Sequence, residues 1–291
     1  MLYQLFSVIA PVFICAVIGY VWRKQGRPYD VSLITALVTN IGTPCLVFST
    51  LIETKLDPQA FLTMGAATAA SLAVFYPAYF LILKAMKLSQ RAFLSALVYG
   101  NCGNMGLPLC LLAFGQEGLA LAIAYFTVNV IALFSIGVAV PAGATSPGQL
   151  VRIPILYAAA AALLVMVLGV PVPAWITNTT HILGGLTVPL MLITLGVSLA
   201  GLAVKKLPQA AVLSVLRLGG GFLVGWGLAE AFGFEGAARG VLILESAMPV
   251  AVFNFLFAVR YGNQPEEVAG LVVVSTLMSF ASLPFLLAFV M

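Results

Sequence analysis

Residues 96–115 read ALVYGNCGNMGLPLCLLAFG. Both ends of this stretch are apolar, and its length matches the roughly 20 residues that a helix needs to cross a bilayer. Its middle does not suit a regular helix. Three glycines, two asparagines and one proline fall between Gly100 and Pro108. Glycine costs about 1 kcal/mol and proline about 3 kcal/mol relative to alanine inside a helix, so the composition predicts an unwound segment over these positions. Unwound backbone at membrane depth is tolerated only inside protein or against a watery cavity, because lipid offers its polar groups no partner. Proline suits the first position of a new half-helix, where its missing N–H is no loss. A half-helix starting at Pro108 is therefore expected to aim N–H groups and a positive dipole end at the break. Asn101 and Asn104 add amides that donate to an anion or offer a carbonyl to a cation. Asn101, Gly103, Asn104 and Pro108 are the resulting candidates for substrate contact.

The rest of the chain explains why such a helix belongs in lipid. Of its 291 residues, 62% are hydrophobic and 8% charged, with a mean hydropathy of +1.13. An ordinary soluble domain carries about 25% charged residues, so a soluble fold of this length would lack the polar surface to cover itself. Breaks at charged and Pro/Gly-rich positions divide the chain into ten apolar runs, near 3–22, 31–52, 60–83, 92–114, 117–140, 153–170, 174–201, 208–232, 236–259 and 267–290. The expected fold is all-α and polytopic, with ten transmembrane helices. No room remains for a soluble catalytic or nucleic-acid-binding domain, and the net charge of +4 is spread in short clusters between runs. The four cysteines lie within apolar runs and read as small buried hydrophobes.

Charge sets the expected orientation. Arg23, Lys24, Arg27, Lys84, Lys87, Arg91, Arg152, Lys205, Lys206 and Arg260 fall in one set of connections, and only Lys55 and Arg239 in the other. The positive-inside rule places the first set in the cytoplasm and both termini outside. The first run has no basic residue before it and no cleavage pattern after it, so it reads as a span rather than a leader.

The loop-like stretch 141–151 (PAGATSPGQLV) lies between residues 1–140 and 152–291, each with five runs. Pro44 and Pro189 interrupt the second run of each half, and Pro108 and Pro249 the fourth. Five is odd, so the second copy crosses in the opposite sense. Inverted repeats with broken helices in corresponding positions point to the binding site of a secondary transporter. Residues 1–140 and 152–291 are thus expected to be inverted repeats joined by the 141–151 linker.

The ninth run, GVLILESAMPVAVFNFLFAVRYG, places Glu245 four residues before Pro249. An ionisable residue at membrane depth is a functional-site hypothesis by default. Glu245 is expected to exchange a proton, to ligate Na⁺ with freed backbone carbonyls, or to pair statically with Arg217, the basic residue inside the eighth run. Pro249 and Asn254 are further substrate-site candidates. Thr127 and Asn129 are candidates to complete a cation site near Asn101. The milder breaks at 40–45 (NIGTPC) and 186–189 (LTVP) read as scaffold kinks at Thr43, Pro44 and Pro189. His181 reads as an interfacial residue, and the Gly219–Gly227 run as a close-packing surface. The expected metal and cofactor set is empty apart from H⁺ or Na⁺ as coupling ion. No nucleophile elbow, zinc-protease helix or paired intramembrane aspartate points to an enzyme.

GNCGNMGLPL in the fourth run and SAMPVAVFNFLFAVRYG in the ninth resemble the two crossover helices of the auxin efflux carrier family. NIGTPCLVFSTL is similar to that family's proline-kinked scaffold helix. The layout matches along the whole chain, and the short central connection resembles the compact bacterial members. The resemblance implies an elevator-type carrier for small organic anions, mono- or dicarboxylates. Scaffold helices would fall in 1–57 and 152–203, and transport-domain helices in 58–140 and 204–291. It further implies a homodimer joined through the scaffold, in the bacterial inner membrane with both termini periplasmic. Glu245 to Met248 also resemble the cation-binding segment of bile-acid sodium symporters, which adds Met248 to the coupling candidates. An uncoupled uniporter or a channel-like permease is the rival reading.

Overall fold

The computed structural model describes residues 2–54, 56–143 and 153–291. Lys55, Arg152 and most of the expected linker, 144–151, lie outside the described residues. Among the described residues fourteen α-helical segments follow one another and no strand is formed. They are α1 (Leu2–Lys24), α2 (Val31–Leu37), α3 (Thr43–Thr54), α4 (Pro58–Ala85), α5 (Gln90–Val98), α6 (Leu107–Ala132) and α7 (Val138–Ala142). Then come α8 (Pro154–Leu168), α9 (Ala174–Gly185), α10 (Thr187–Gly201), α11 (Leu207–Ala231), α12 (Gly236–Ser246), α13 (Val252–Tyr261) and α14 (Pro265–Val290).

Among the described residues seven continuous helical stretches are long and apolar enough to cross a bilayer: Leu5–Lys24, Val31–Thr54, Pro58–Ala85, Cys102–Ala142, Ala174–Gly201, Leu207–Ala231 and Pro265–Val290. Pro154–Leu168 and Val252–Tyr261 are shorter apolar helices. Large apolar side chains such as Phe6, Trp175 and Phe285 face outward, a surface that lipid covers and water would not. The protein is a helical, multi-pass membrane protein. The stretch Cys102–Ala142 would extend about 60 Å if straight, twice the hydrocarbon thickness. It bends at Gly115, whose φ of 66° and ψ of −155° are open to glycine and closed to residues with a β-carbon. That bend falls at the expected boundary between the fourth and fifth apolar runs.

Glycine also sets how closely α1 and α10 approach. A β-carbon on Gly19 would collide with the Ile193 carbonyl, and one on Gly196 with the Ala16 carbonyl. Close backbone approach through small residues is how membrane helices gain contact without a hydrophobic driving force between them. The expected kinks are present in a gentler form. The chain passes through a π-helical turn at Val38–Gly42 before α3, with Thr43 and Pro44 just after it. Pro189 lies in the first turn of α10, beyond the junction of α9 and α10. The two kinks touch, since a β-carbon on Gly42 would lie 2.6 Å from the Thr187 hydroxyl. Gly221 and Gly225 let α11 close on α12 at Ser246 and Ile243, so part of the Gly219–Gly227 run does serve packing.

Two substitutions test these approaches by thermal melting in detergent. Gly196→Leu forces α1 and α10 apart and is expected to cost several kcal/mol or prevent folding. Gly219→Ala meets open space inside α11 and is expected to be neutral or to stabilise by up to about 1 kcal/mol.

Candidate functional site

Two interrupted helices cross at the centre of the molecule. α5 stops at Val98 and α12 at Ser246, and the segments after them run antiparallel, with Gly100 paired to Val250. Asn101 N–H donates to the Pro249 carbonyl at 2.6 Å, and Ala251 N–H donates to the Tyr99 carbonyl at 3.3 Å. Each break therefore satisfies backbone groups of the other. Pro249 fits because it is asked only for its carbonyl.

The fourth-run break is shorter than expected. Only Tyr99–Asn101 leaves the helix. Cys102–Gly106 forms a π-helical turn that leads directly into α6, with Gly106 N–H bonded to the Asn101 carbonyl at 3.1 Å. The wider turn absorbs the glycines, and Pro108, the second residue of α6, follows it with no N–H to give to a carbonyl of that turn. The second half-helix thus begins six residues before Pro108, and Asn101, Gly103 and Asn104 lie in its opening turn. On the other side, Pro249 stands inside the gap, and α13 starts at Val252 with Ala251 as its cap.

Side chains lock the crossing. Asn254 Nδ2 donates to the carbonyls of Tyr99 and Ala251, both at 3.2 Å, while its Oδ1 accepts from the Ser95 hydroxyl at 3.0 Å. Val250 N–H donates to the Ser275 hydroxyl at 3.1 Å. Arg217, 1% exposed, donates from Nε to the Met248 carbonyl at 3.1 Å and from Nη1 to the Leu97 carbonyl at 3.2 Å. The static Arg217–Glu245 pair weighed from the sequence is not formed among the described residues. The guanidinium goes to backbone carbonyls because α5 and α12 both leave theirs unpaired at this point.

A cavity of about 510 Å³ opens beside the crossing. Asn101, Gly103, Asn104 and Asn129 line it from one side, and Ala251, Val252 and Phe253 from the other. Its far wall is built by Thr43 with the preceding π-helical turn and by Met191, Thr194 and Ser198 of α10. Phe126, Phe134 and Phe255 add aromatic surface, and Arg23 is the charged residue among its described lining. Asn101 is buried, and its Nδ2 has no hydrogen-bond partner. A buried donor left unpaired costs about 1–3 kcal/mol, which a bound acceptor would remove.

Of the sequence candidates, Asn101, Gly103, Asn104, Asn129 and Thr43 meet at this cavity. Pro108, Pro249, Asn254, Met248, Glu245, Thr127 and Arg217 are not among its described lining, and Pro44 and Pro189 belong to the helices that supply Thr43 and Met191 to it. The sequence reading missed Phe126, Phe134, Thr194 and Ser198. The spacing of Phe126, Asn129, Val130, Leu133 and Phe134 marks one helix face and was the available signal. His181 is exposed and meets Glu53 at 3.0 Å, away from the cavity.

Glu245 is fully buried on α12. Its Oε1 accepts from the Cys110 thiol at 3.7 Å, its backbone carbonyl faces the Cys102 thiol at 3.8 Å, and its Oε2 has no partner. The carboxylate lies so close over Gly106 that any β-carbon there would collide with it. Hard cations are held by several oxygen atoms, whereas the neighbours of this carboxylate are sulfur atoms and a glycine. Among the described residues no cluster of His, Cys, Asp and Glu suits a metal ion.

A family profile described as membrane transport protein matches residues 4–150 and 142–287. The chain belongs to this transporter family. It is the family of auxin efflux carriers that the crossover motifs resemble. Two relatives are similar along nearly their whole length. An uncharacterized transporter of Methanothermobacter thermautotrophicus is 26% identical over 292 residues, covering 96% of each chain. Another, from Methanocaldococcus jannaschii, is 25% identical over 293 residues, covering 94% of each. In this transporter the crossing should depend on Asn254 far more than on Thr127, whose hydroxyl bonds only within its own helix at 2.7 Å. Asn254→Ala is expected to lower unfolding stability by about 1–3 kcal/mol and Thr127→Val by less than about 1 kcal/mol, as read by parallel thermal melts.

Proposed function

We propose that this transporter is a secondary carrier for a small carboxylate, working by elevator-type alternating access and coupled to H⁺ through Glu245. The observation that carries the substrate reading is the unpartnered Asn101 amide beside a largely apolar cavity, at the start of a half-helix. Helix N-termini favour anions, and Asn104, Asn129 and the opening of α13 supply further donors. Among the described lining residues Arg23 is the one that carries charge, and one carboxylate on an apolar body suits that lining.

Packing supports the inverted repeat and its partition. α1 packs on α10 as α8 packs on α3. Likewise α4 packs on α5 and α6 as α11 packs on α12 and α14. In this reading residues 1–57 and 152–203 form the scaffold, residues 58–140 and 204–291 the moving domain, and 141–151 the link between them. The cavity lies between the two. Its rim at Arg23, Pro154 and Leu202 is on the side that the basic connections place in the cytoplasm, so this conformation is inward-facing. Ten spans follow, with both termini outside the cell membrane and the scaffold of a second copy completing a homodimer.

The coupling assignment rests on the unpaired Glu245 Oε2, a carboxylate oxygen free to take a proton. A Glu245→Gln carrier in proteoliposomes is expected to keep carboxylate counterflow and to lose its response to a pH gradient. A response equal to wild type sinks the coupling role. Asn101→Ala with Asn104→Ala is expected to weaken carboxylate binding at least tenfold, the equivalent of about 1.4 kcal/mol. Unchanged binding in a calorimetric titration with a series of monocarboxylates sinks the site.

A further inference from the structure

Two half-helices end at one place. α5 finishes at Val98 and α12 at Ser246, and their carbonyl ends converge where the chain crosses. The last carbonyls of a helix lack partners within it and carry the negative end of its dipole. At membrane depth that charge must be met by a donor or a cation. Carriers built on broken helices commonly meet it with a coupling ion held by unwound carbonyls and half-helix C-terminal ends.

Here a side chain from a third helix meets it. Arg217 of α11 reaches Leu97 in the last turn of α5 through Nη1 and Met248 just beyond α12 through Nε. Its Nη2 presses so closely on Gly100 that a β-carbon there would collide with it. The guanidinium carbon lies 5.4 Å from the centre of the Phe75 ring, a cation–π contact. The Tyr79 hydroxyl donates to the carbonyls of Leu216 at 3.2 Å and Arg217 at 3.4 Å, fixing the turn of α11 that carries the arginine. Among the described residues no ion pair to Arg217 forms, and a guanidinium never gives up its proton in a protein. A positive charge therefore stays at the junction with only carbonyls and a ring to answer it.

We infer that Arg217 is the resident cation of the crossover: it fills the electrostatic position between Leu97, Gly100 and Met248 that a coupling Na⁺ would take, and holds the two broken helices together without an exchangeable ion. A second cation at that point meets like-charge repulsion. The negative half-helix ends stay neutralised throughout the cycle, and the positive ends stay available to the substrate with no Na⁺ bound. Arg217 is a positioning residue, acting on the site through the backbone of both breaks. This goes beyond the carrier reading and needs no knowledge of the substrate.

The test melts the purified full chain in NaCl and in choline chloride at equal ionic strength. Wild type, R217A and R217K are compared with and without low-millimolar guanidinium chloride. Wild type is expected to melt at the same temperature in both salts and to ignore guanidinium. R217A is expected to melt about 5 °C or more lower and to regain at least half of that loss with guanidinium, which restores both the charge and the paired donors. R217K keeps the charge as a point-like ammonium without the fork and is expected to fall between the two. Stabilisation of wild type by Na⁺ over choline overturns the proposal, as does an R217A protein that guanidinium does not restore. If R217A does not fold, the comparison of Na⁺ with choline on wild type still decides. Uptake plays no part in these readouts, so a failed carrier assignment and a failed Arg217 assignment are told apart.

Discussion

The rest of the structure depends on one constraint: two helices interrupted at the centre of the molecule must satisfy each other's backbone. Lipid provides no partner for a freed N–H or C=O, and each buried group left unpaired costs about 1–3 kcal/mol. The exchange between Asn101 and Pro249, and between Ala251 and Tyr99, removes that cost only if both breaks occur at the same depth and cross. This explains why Gly100 has no side chain, why a proline is tolerated at 249, and why Asn254 bridges both segments. Neither break is stable without the other, so the crossing is a single unit built from both halves of the chain.

That unit has two electrically distinct sides. The C-terminal ends of α5 and α12 meet Arg217, while the opening turns that follow, at Asn101–Asn104 and Ala251–Phe253, line the cavity. In the proposed function, the fixed cation on one side and the free donors on the other are what select an anion. The apolar and aromatic walls then favour a ligand whose remaining surface is not polar. Glu245 lies outside this division, enclosed by Cys102, Cys110 and Gly106, and is the group to which the proposed function assigns proton coupling.

Much of this was legible in the residues. The glycine, asparagine and proline cluster at 100–108 located the broken helix, and the recurrence of Pro108 at Pro249 pointed to its partner. Three things were hidden for physical reasons. A π-helical turn accommodates glycines that a propensity scale counts against any helix, so the break at 99–101 is shorter than composition suggested. A static pair with Glu245 is one of the readings that sequence leaves open for Arg217, because charge pairing is a common answer to buried ions. Which carbonyls a helix end leaves exposed is a tertiary matter that spacing does not reveal. The cavity wall joins Thr43, Asn129, Met191 and Thr194 from distant segments, and only the fold brings them together.

The cavity's role turns on whether the crossover's donor side binds a carboxylate. The most direct measurement is an electron cryomicroscopy structure of the carrier with a monocarboxylate bound. Carboxylate density is expected within hydrogen-bond distance of the Asn101 amide and the π-helical turn that precedes α6, with Arg217 still on Leu97 and Met248. Density at any other place, or a carboxylate held by Arg217 itself, would contradict it.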